Sequence, residues 1–391
     1  DLASFENTGA GSDRMSEKLR VLVVDDSALM RKLIPQVLQR DSSIEVVGTA
    51  MDGSIGLKKI AELHPHVVTL DLDMPRMDGI EMLRQIMRHH RVPVIVFSAH
   101  SRESASVTLK ALSLGAFDFV TKPEDAASGR LEQIATELAI KIKVAAASGA
   151  PKMILTFPPS RRKEAHRQTL PRTPSVVVAI GVSTGGPNAL QYLFSQLPGD
   201  FPGTILVVQH MPEGFTEMFA QRLDECSAID VKEAQSGDLL LAGRALICPG
   251  NRHIKVRRMA HGDIAVLVDQ PRVNGHRPSA DVLFHSVAQE FRSQAMGVLM
   301  TGMGDDGAAG LGAMFSAGCH TVAQSPDSCV VDSMPRAAIE RGFVSRVVSL
   351  PNLSSAIQSK CAPDRTPAEP VAVAQPADAA AGEGNLRRRW S

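Results

Sequence analysis

The chain has 391 residues, of which 44% are hydrophobic, so it is long enough to form two domains with ordinary buried cores. Its 42 basic and 42 acidic residues give a formal net charge of zero, which excludes bulk electrostatic attraction to nucleic acid or to a membrane surface. Aromatic residues make up only 4% of the chain, too few for the stacking platforms of single-strand-binding proteins.

Cysteine usage predicts a reducing compartment, and hydropathy predicts a protein that does not insert into a membrane. The five cysteines are odd in number and form no CxxC pair, which argues against a disulfide framework. No apolar run approaches the roughly 18 residues needed to span a bilayer. The first 14 residues lack the basic-then-apolar shape of a secretory signal. We therefore expect a soluble cytoplasmic protein without direct membrane insertion.

The first half of the chain alternates between strand and helix patterns after a polar extension over residues 1–18, which we expect to be disordered. The predicted strands are 19–24, 44–49, 67–72, 94–98 and 117–121, and the predicted helices are 27–39, 53–62, 79–89, 104–114 and 130–144. Such alternation predicts a parallel sheet with helices on both faces. Five strands in this span fit a flavodoxin-like domain over residues 19–140.

Residues 141–174 interrupt the pattern with several prolines and an excess of lysine and arginine. We interpret this segment as a linker that is either simply solvated or able to dock an acidic partner. A tail over residues 357–391 is rich in alanine and proline, ends near Arg-Arg-Arg-Trp, and is expected to be disordered.

A second α/β pattern covers residues 175–356. In chain order it predicts a strand at 176–180, a glycine turn, a helix at 188–197 and a strand at 205–209. Further β-rich segments lie between residues 231 and 268, and another strand is predicted at 297–301. The fold class is thus two doubly wound parallel-sheet α/β domains, flavodoxin-like and then Rossmann-like, joined by a linker.

Polar side chains follow four strands of the first domain. Asp25 and Asp26 follow the first strand and Asp71 follows the third, whereas Ser98 and Lys122 lie at the ends of the fourth and fifth. The carboxyl ends of parallel strands meet at one edge of the sheet, where open α/β folds bind ligands. Three carboxylates there would repel one another unless a cation such as Mg²⁺ lay among them. Solvated strand-end residues are the alternative interpretation for each position alone.

The segments "VLVVDDSALMRK", "LDLDMPRMDG", "VIVFSAH" and "GAFDFVTKP" resemble response-regulator receiver domains. The resemblance implies that Asp71 is the phosphoacceptor and that a histidine kinase is the phosphoryl donor. It implies that phosphorylation of this domain uses Mg²⁺, bound by Asp25, Asp26, Asp71 and the backbone carbonyl of Asp73.

The same resemblance assigns a conformational switch to the first domain. Ser98 is implied as the residue that senses the phosphoryl group, with Phe119 as its aromatic partner. An ammonium such as that of Lys122 can hold phosphoryl oxygens together with the Ser98 hydroxyl.

A glycine-rich turn follows the first strand of the second domain and precedes a helix. Its sequence, Gly181-Val182-Ser183-Thr184-Gly185-Gly186, permits a tight strand-to-helix turn that would expose the Ser183 hydroxyl as a nucleophile. A turn that binds phosphate through its backbone is the alternative interpretation.

A nucleophilic serine needs a base, and the base needs an acid that orients it. His210 follows the apolar strand "TILVVQ", and Asp306 follows the strand in "GVLMTGMGDDGAAG", so both could lie near Ser183. Asp305 competes with Asp306 for the acid position. Rival histidines are His253, His261, His276, His285 and His320. The residue pattern alone leaves these choices open.

The segments "AIGVSTGGPNAL", "VVQHMPEGFT", "CPGNRHI", "NGHRPSADVLFHS" and "LMTGMGDDGAAG" resemble the catalytic domain of CheB-type chemotaxis methylesterases. The resemblance covers about residues 175–350. It implies Ser183 as nucleophile, His210 as base, Asp306 as orienting acid and the Met303 backbone N–H as an oxyanion-hole donor. The chain order Ser, His, Asp differs from the Ser, acid, His order of α/β-hydrolases, which weakens a generic lipase or esterase interpretation.

The combined resemblance implies a protein-glutamate methylesterase controlled by phosphorylation. Its substrates would be methyl-accepting chemoreceptors, whose glutamyl methyl esters it would hydrolyse and whose glutamines it would deamidate. No metal is expected for the hydrolysis. The receiver is expected to cover the esterase site until it is phosphorylated. A binding module with a degenerate hydrolase domain and a receiver-linked transcription factor are the alternatives; the second domain lacks a basic recognition-helix pattern for the latter.

Overall fold

The computed structural model describes residues 18–99, 101–122, 130–149 and 172–361. The predictions for the N-terminal extension, most of the basic linker and nearly all of the C-terminal tail lie outside these residues. The described part forms two α/β domains, each built on a parallel sheet.

The N-terminal domain has a five-stranded parallel sheet in the order β2-β1-β3-β4-β5. The central strands are almost entirely apolar because helices cover both faces of the sheet, and the described residues of β3 and β4 are all buried. The strands are β1 (Leu19–Val24), β2 (Ile44–Ala50), β3 (Val67–Leu70), β4 (Val94–Ser98) and β5 (Asp118–Thr121).

Short polar residues start the helices of this domain. The carboxylates of Asp52 and Asp78 and the hydroxyl of Ser101 accept hydrogen bonds from backbone N–H groups in the first helical turns. The helices are α1 (Ala28–Leu38), α2 (Gly53–Leu63), α3 (Gly79–Gln85), α4 (Arg102–Ser113) and α5 (Arg130–Ser148). The segment predicted as one helix over 79–89 changes to a π-helical turn at Ile86–His90.

The C-terminal domain has a seven-stranded parallel sheet in the order β14-β13-β12-β6-β7-β9-β8 and a separate antiparallel hairpin of β10 and β11. The reversal of strand order between β6 and β12 creates a crevice at their carboxyl ends. The strands are β6 (Val177–Val182), β7 (Thr204–Gln209), β8 (Asp230–Glu233), β9 (Arg244–Ile247), β10 (His253–Arg257), β11 (Ile264–Val268), β12 (Ala295–Leu299), β13 (His320–Gln324) and β14 (Arg346–Val348).

Six helices complete the described C-terminal domain, and α8 packs against the β10–β11 hairpin as well as the sheet. They are α6 (Gly186–Ser195), α7 (Phe215–Cys226), α8 (Ala280–Phe291), α9 (Ala308–Ser316), α10 (Ser333–Glu340) and α11 (Leu350–Cys361). Among the helices of the described ranges, none has both the length and the apolar character needed to cross a membrane.

The prediction of two parallel-sheet α/β domains is confirmed, but two helices run past the predicted domain boundaries. Helix α5 continues beyond residue 140 to Ser148 because Ile142 and Ala145 remain buried against the sheet. Helix α11 continues beyond residue 356 because Ile357 and Cys361 are buried in the core. The predicted β-rich region between residues 231 and 268 contains the antiparallel hairpin, which the parallel-sheet prediction did not include.

Gly79 leaves no room for a side chain next to the loop that carries Asp71. A Cβ atom at Gly79 would lie 2.2 Å from the backbone oxygen of Asp71 and 2.6 Å from the Cα atom of Leu72. Backbone atoms cannot rotate away, so we expect Gly79→Ala to lower the free energy of unfolding of the N-terminal domain by about 1–3 kcal/mol. Urea unfolding of the full-length protein would measure this change.

Gly48→Ala, on β2 of the same domain, is the matched control. A Cβ atom there would meet the Leu63 Cδ1 atom at 2.8 Å, which is the far end of a flexible side chain. We expect a smaller loss of stability for this variant. An equal loss in the two variants would contradict the idea that the backbone contact at Gly79 is the cause.

Candidate functional site

An acidic cluster lies at the carboxyl edge of the N-terminal sheet. Asp25 directly follows β1 and Asp71 directly follows β3, and both are buried, whereas Asp26 is exposed. One carboxylate oxygen from each of the three lies within 4.8 Å of the others. A set of hard oxygen donors at this spacing fits Mg²⁺.

Lys122 contributes the positive charge of this edge. Its Nζ atom lies 2.7 Å from Asp71 Oδ2 and 3.0 Å from Asp25 Oδ2. Burial raises the pKa of Asp71 to about 6, with Asp25 adding to the rise and Lys122 opposing it. The arrangement offers a carboxylate beside an ammonium that could bind the oxygens of a transferred phosphoryl group.

Other residues predicted for this site take the following positions. Ser98 is buried at the end of β4, and its hydroxyl accepts a hydrogen bond of 2.7 Å from Thr108. Phe119 is buried on β5. The backbone N–H of Asp73 lies 3.3 Å from Asp71 Oδ1, while the metal-binding role of its carbonyl remains a prediction.

Ser183 and His210 lie beyond the ends of adjacent parallel strands in the C-terminal domain. The last register pair of β6 and β7 is Val182 with Gln209, so Ser183 and His210 come next on the two strands. The backbone N–H of His210 donates to the Val182 carbonyl at 3.1 Å. Within the described ranges, the buried Nδ1 atom of His210 has no hydrogen-bond partner.

Gln209 is a site residue that the sequence analysis missed. Its buried amide Nε2 donates to the carbonyls of Ser183 (3.0 Å) and His210 (3.2 Å), so one side chain ties the two turns together. A Cβ atom at Gly186 would lie 2.1 Å from Gln209 Oε1. The absence of a side chain at Gly186 therefore leaves room for the Gln209 amide.

Asp306 forms a hydrogen bond with the other ring nitrogen of His210. The distance from Asp306 Oδ2 to His210 Nε2 is 2.8 Å, and Asp306 is fully buried. Its carboxylate also accepts hydrogen bonds from the Ser279 hydroxyl (2.6 Å) and from the Ala280 backbone N–H (2.7 Å) at the start of α8. Burial by itself would raise the pKa of Asp306, but His210 and these donors lower it to about 2.

The competing acid and one rival histidine have other partners, and three further rival histidines lie at other positions of the domain. Asp305 is exposed and pairs with Arg341 at 2.7 Å. His253 is fully buried, with its two ring nitrogens bonded to the backbones of Ser279 and Pro271. His261 and His285 are exposed, and His320 lies at the start of β13.

His276 belongs to the site, although the sequence showed it only as a rival histidine. Its ring stacks on His210 with centroids 3.8 Å apart and an interplanar angle of 6°. Burial and the neighbouring His210 lower the pKa of His276 to about 4, against the opposing effect of Asp306 and Glu137. His276 is therefore neutral near pH 7.

Met303 lies in the loop after β12, close to the serine turn. The backbone N–H of Gly302 donates to the Val331 carbonyl, and that of Gly304 donates to the Ser333 hydroxyl. The Met303 N–H donates no hydrogen bond to any residue of the described ranges. It is consequently free to receive a negatively charged oxygen.

The N-terminal domain packs against this edge of the C-terminal domain. Asp118 on β5 accepts a hydrogen bond of 2.8 Å from the hydroxyl of Thr184, the neighbour of Ser183. Phe119 stacks on Phe215 of α7 with centroids 4.9 Å apart. The neighbour of the predicted switch residue thus contacts the turn that carries the serine, and the switch residue itself contacts α7.

Three further contacts extend the interface between the domains. Asn188 of α6 donates to the Leu112 carbonyl of α4 at 2.8 Å. Arg102 of α4 lies 2.6 Å from Glu217 of α7. Val331, beside the Met303 loop, is part of the same apolar cluster as the core of the N-terminal domain. The described interface thus borders the serine turn on several sides.

Comparison with family models identifies two matching regions. Residues 178–357 match the model described as CheB methylesterase. Residues 21–134 match the model described as response regulator receiver domain. The two regions coincide with the two sheets.

Named relatives cover nearly the whole chain. A protein of Koribacter versatilis, named protein-glutamate methylesterase/protein-glutamine glutaminase 2, is 60% identical over 353 residues, which are 89% of this chain and 97% of that protein. A protein-glutamate methylesterase/protein-glutamine glutaminase of Symbiobacterium thermophilum is 46% identical over 88% of this chain and 98% of that protein. The crystal structure of the Thermotoga maritima CheB methylesterase catalytic domain is 34% identical, covers 47% of this chain and 98% of its own, and has a TM-score of 0.47.

The lowered pKa of His276 predicts a pH dependence of stability. The folded protein resists protonation of this ring down to about pH 4, whereas the unfolded chain takes up the proton near pH 6.5. The stability contribution of neutral His276 is thus complete above pH 6.5 and is lost as the pH falls from there toward 4. We expect His276→Gln to flatten this part of the profile, measured by urea unfolding at a series of pH values.

His261→Gln is the control, because it removes an exposed imidazole from the same domain. We expect its profile to follow that of the wild type. Parallel profiles for wild type and His276→Gln in this pH range would show that burial of His276 does not produce the effect.

Proposed function

The chain belongs to the CheB methylesterase family with a receiver domain ahead of the catalytic domain, and we propose that it is a phosphorylation-activated protein-glutamate methylesterase acting through Ser183, His210 and Asp306. The buried contact of 2.8 Å between His210 and Asp306, one strand away from Ser183, carries this proposal. The reaction converts a glutamyl γ-methyl ester of a chemoreceptor to glutamate and methanol.

His210 acts as the general base. Since Nε2–H donates to Asp306, the neutral ring presents the lone pair of Nδ1, which is buried and otherwise unpartnered within the described chain. Nδ1 removes the hydroxyl proton of Ser183 as the serine oxygen attacks the ester carbonyl carbon. The ionised Asp306 stabilises the imidazolium that results.

The remaining steps return the enzyme to its starting state. The imidazolium of His210 donates its proton to the departing methoxide, which leaves as methanol, and an acyl-enzyme ester remains on Ser183. A water molecule gives a proton to His210 and attacks that ester, and the proton then returns to the serine oxygen as glutamate is released. The Met303 N–H stabilises the negatively charged oxygen in both steps.

A primary amide can enter the same sequence. A receptor glutamine presents a carbonyl of similar shape, and protonation by His210 makes ammonia the leaving group. This activity agrees with the glutaminase in the names of the relatives. Amide hydrolysis depends more strongly than ester hydrolysis on protonation of the leaving group, because an amide anion leaves poorly.

Asp71 is the proposed phosphoacceptor of the receiver domain, and a histidine kinase is the donor. Asp25, Asp26 and Asp71 would hold Mg²⁺, which would offset the mutual repulsion of carboxylate and phosphoryl oxygens. Lys122 orients Asp71 and then contacts the phosphoryl group, while Ser98 and Phe119 respond to it. With these proposed partners, the protein would act in the cytoplasm.

The receiver inhibits the esterase while it is unphosphorylated. The bond between Asp118 and Thr184 supports this regulation because Thr184 is the neighbour of Ser183, and the stacking of Phe119 on Phe215 adds a contact at the start of α7, five residues after His210. Phosphorylation biases Ser98 and Phe119 toward a second arrangement and weakens the packing.

Methanol release tests the proposed activity. Methylated receptor membranes are incubated with full-length protein and Mg²⁺, with and without a small-molecule phosphodonor. We expect the wild type to release methanol faster with phosphodonor, Ser183→Ala to release none above background, and Asp71→Asn to keep the basal rate without stimulation. Full activity of Ser183→Ala would refute the nucleophile. Absence of release by a folded wild type would favour a binding module.

A charge reversal tests the inhibitory interface. Arg102 and Glu217 are both partly exposed, so Arg102→Glu replaces an attraction with a repulsion without disturbing either core. We expect basal methanol release without phosphodonor to rise by about twofold to fivefold, since an exposed pair contributes up to about 1 kcal/mol. The double variant Arg102→Glu with Glu217→Arg restores the attraction and should return the basal rate toward that of the wild type. Unchanged basal release in the single variant would argue against inhibition through this interface.

A further inference from the structure

A two-residue turn at Asn274 and Gly275 lies over the His210–Asp306 pair. Val273 and His276 exchange two backbone hydrogen bonds of 3.0 and 2.9 Å across it. Both central residues have positive φ values, 52° for Asn274 and 79° for Gly275, as a type I′ turn requires. The turn therefore fixes the backbone positions from which the Asn274 side chain and the His276 ring extend.

Asn274 bridges two buried carboxylates. Its Nδ2 atom lies 3.1 Å from Asp306 Oδ1 and 2.7 Å from Asp281 Oδ2 on α8. The two carboxylates are 0% and 5% exposed, respectively. An amide nitrogen has two hydrogens, so it can donate one to each carboxylate, whereas the amide oxygen in that position would repel both.

The bridge offsets a repulsion that burial makes strong. Burial raises the pKa of Asp281, and the nearby Asp306 adds to the rise, whereas the N–H donors of Gly310 and Asn274 oppose it. Asp306 Oδ1 receives Asn274 and Ser279, which leaves Oδ2 for His210 and the Ala280 N–H. The rotation of the Asp306 carboxylate is fixed by donors on both oxygens.

We propose that Asn274 is a positioning residue for hydrolysis, because its amide holds the Asp306 carboxylate turned toward His210 and links it to Asp281. The proposal rests on the proposed function, in which His210 and Asp306 act on the Ser183 hydroxyl. Within the described residues, the hydrogen bonds of the Asn274 side chain go to Asp281 and Asp306, so we expect it to act through Asp306.

Charged and titratable groups approach the His210–Asp306 pair from several elements. Asp281 lies on α8, His276 closes the turn at Asn274 and Gly275, and Arg272 precedes that turn. Glu137 of α5 and Arg277 contribute smaller electrostatic effects on the histidines of this region. Any change of pH dependence in a variant must therefore be compared with a substitution that leaves these groups in place.

Two substitutions keep the backbone of the turn. Glycine and aspartate both tolerate positive φ, and aspartate nearly preserves the shape of the side chain. We expect Asn274→Gly to lower kcat by about tenfold to a hundredfold with KM within about twofold, because only part of the general-base contribution is lost. We expect Asn274→Asp to move the acid limb of the kcat/KM profile by about one pH unit toward higher pH, since an added negative charge favours the protonated imidazole.

Asn251 supplies the matched control. Like Asn274, it is an exposed asparagine with positive φ (61°), but it bonds to Arg277 and Glu213 rather than to Asp306. Asn251→Gly and Asn251→Asp should leave the acid limb where it is in the wild type. All variants are assayed as full-length protein with saturating phosphodonor.

An activity-independent measurement separates the two proposals. The imidazole N–H resonance of His210, assigned by its loss in His210→Gln, reports the bond to Asp306 in full-length protein labelled at histidine. We expect it to shift in both Asn274 variants and to stay in place in both Asn251 variants. A Ser183→Ala protein that keeps its activity would overturn the proposed function instead, whatever the resonance does.

The positioning role would be overturned by either of two results. The first is wild-type kcat and an unmoved acid limb in both Asn274 variants. The second is an unmoved His210 resonance in both variants, which would show that any lost activity comes from general damage to the turn.

Discussion

A buried carboxylate needs hydrogen-bond donors or cations within reach, and both functional edges of the molecule are built around this requirement. Asp306 receives the Ser279 hydroxyl, the first N–H of α8, the Asn274 amide and His210, and its pKa falls to about 2. Asp71 has Lys122 as its main donor and another carboxylate beside it, and burial raises its pKa to about 6.

The difference between the two carboxylates suits their proposed roles. A carboxylate with neutral donors on both oxygens has a fixed orientation and a permanent charge, as an orienting acid requires. A carboxylate in an acidic cluster lies beside other negative charges that its donors do not fully offset. A divalent cation and the Lys122 ammonium can balance these charges when the group reacts. The two domains share the parallel-sheet geometry, and the donors supplied by the loops distinguish their chemistry.

Much of the fold could be predicted because apolar strands alternate with amphipathic helices at regular spacing. The positions of Asp25, Asp71, Ser183 and His210 at strand ends follow from that pattern, and the structure places each of them there. The choice of Asp306 over Asp305 depended on a family resemblance. In the structure Asp306 is buried against His210 and Asp305 is paired with Arg341, although the catalytic roles remain proposals.

The remaining features depend on contacts between segments far apart in the chain. Gln209 reaches two carbonyls, Asn274 reaches two carboxylates on different elements, and Asp118 meets Thr184 across the domain interface. Periodicity and composition do not determine such contacts. The Asn-Gly pair at residues 274 and 275 was a visible turn signal, but nothing local in the sequence showed which side chains the turn would meet.

The hydrogen bond between Asp118 and Thr184 has a thermodynamic consequence for the signalling pathway. Under the proposed inhibition, a receptor segment and the receiver surface would compete for the serine turn, so binding of either would disfavour binding of the other. By linkage, whatever phosphorylation adds to the affinity for receptor, receptor binding must add to the stability of the phosphorylated form. A receptor rich in methyl esters would thereby favour the arrangement of the two domains that phosphorylation favours, and depletion of those esters would remove this bias.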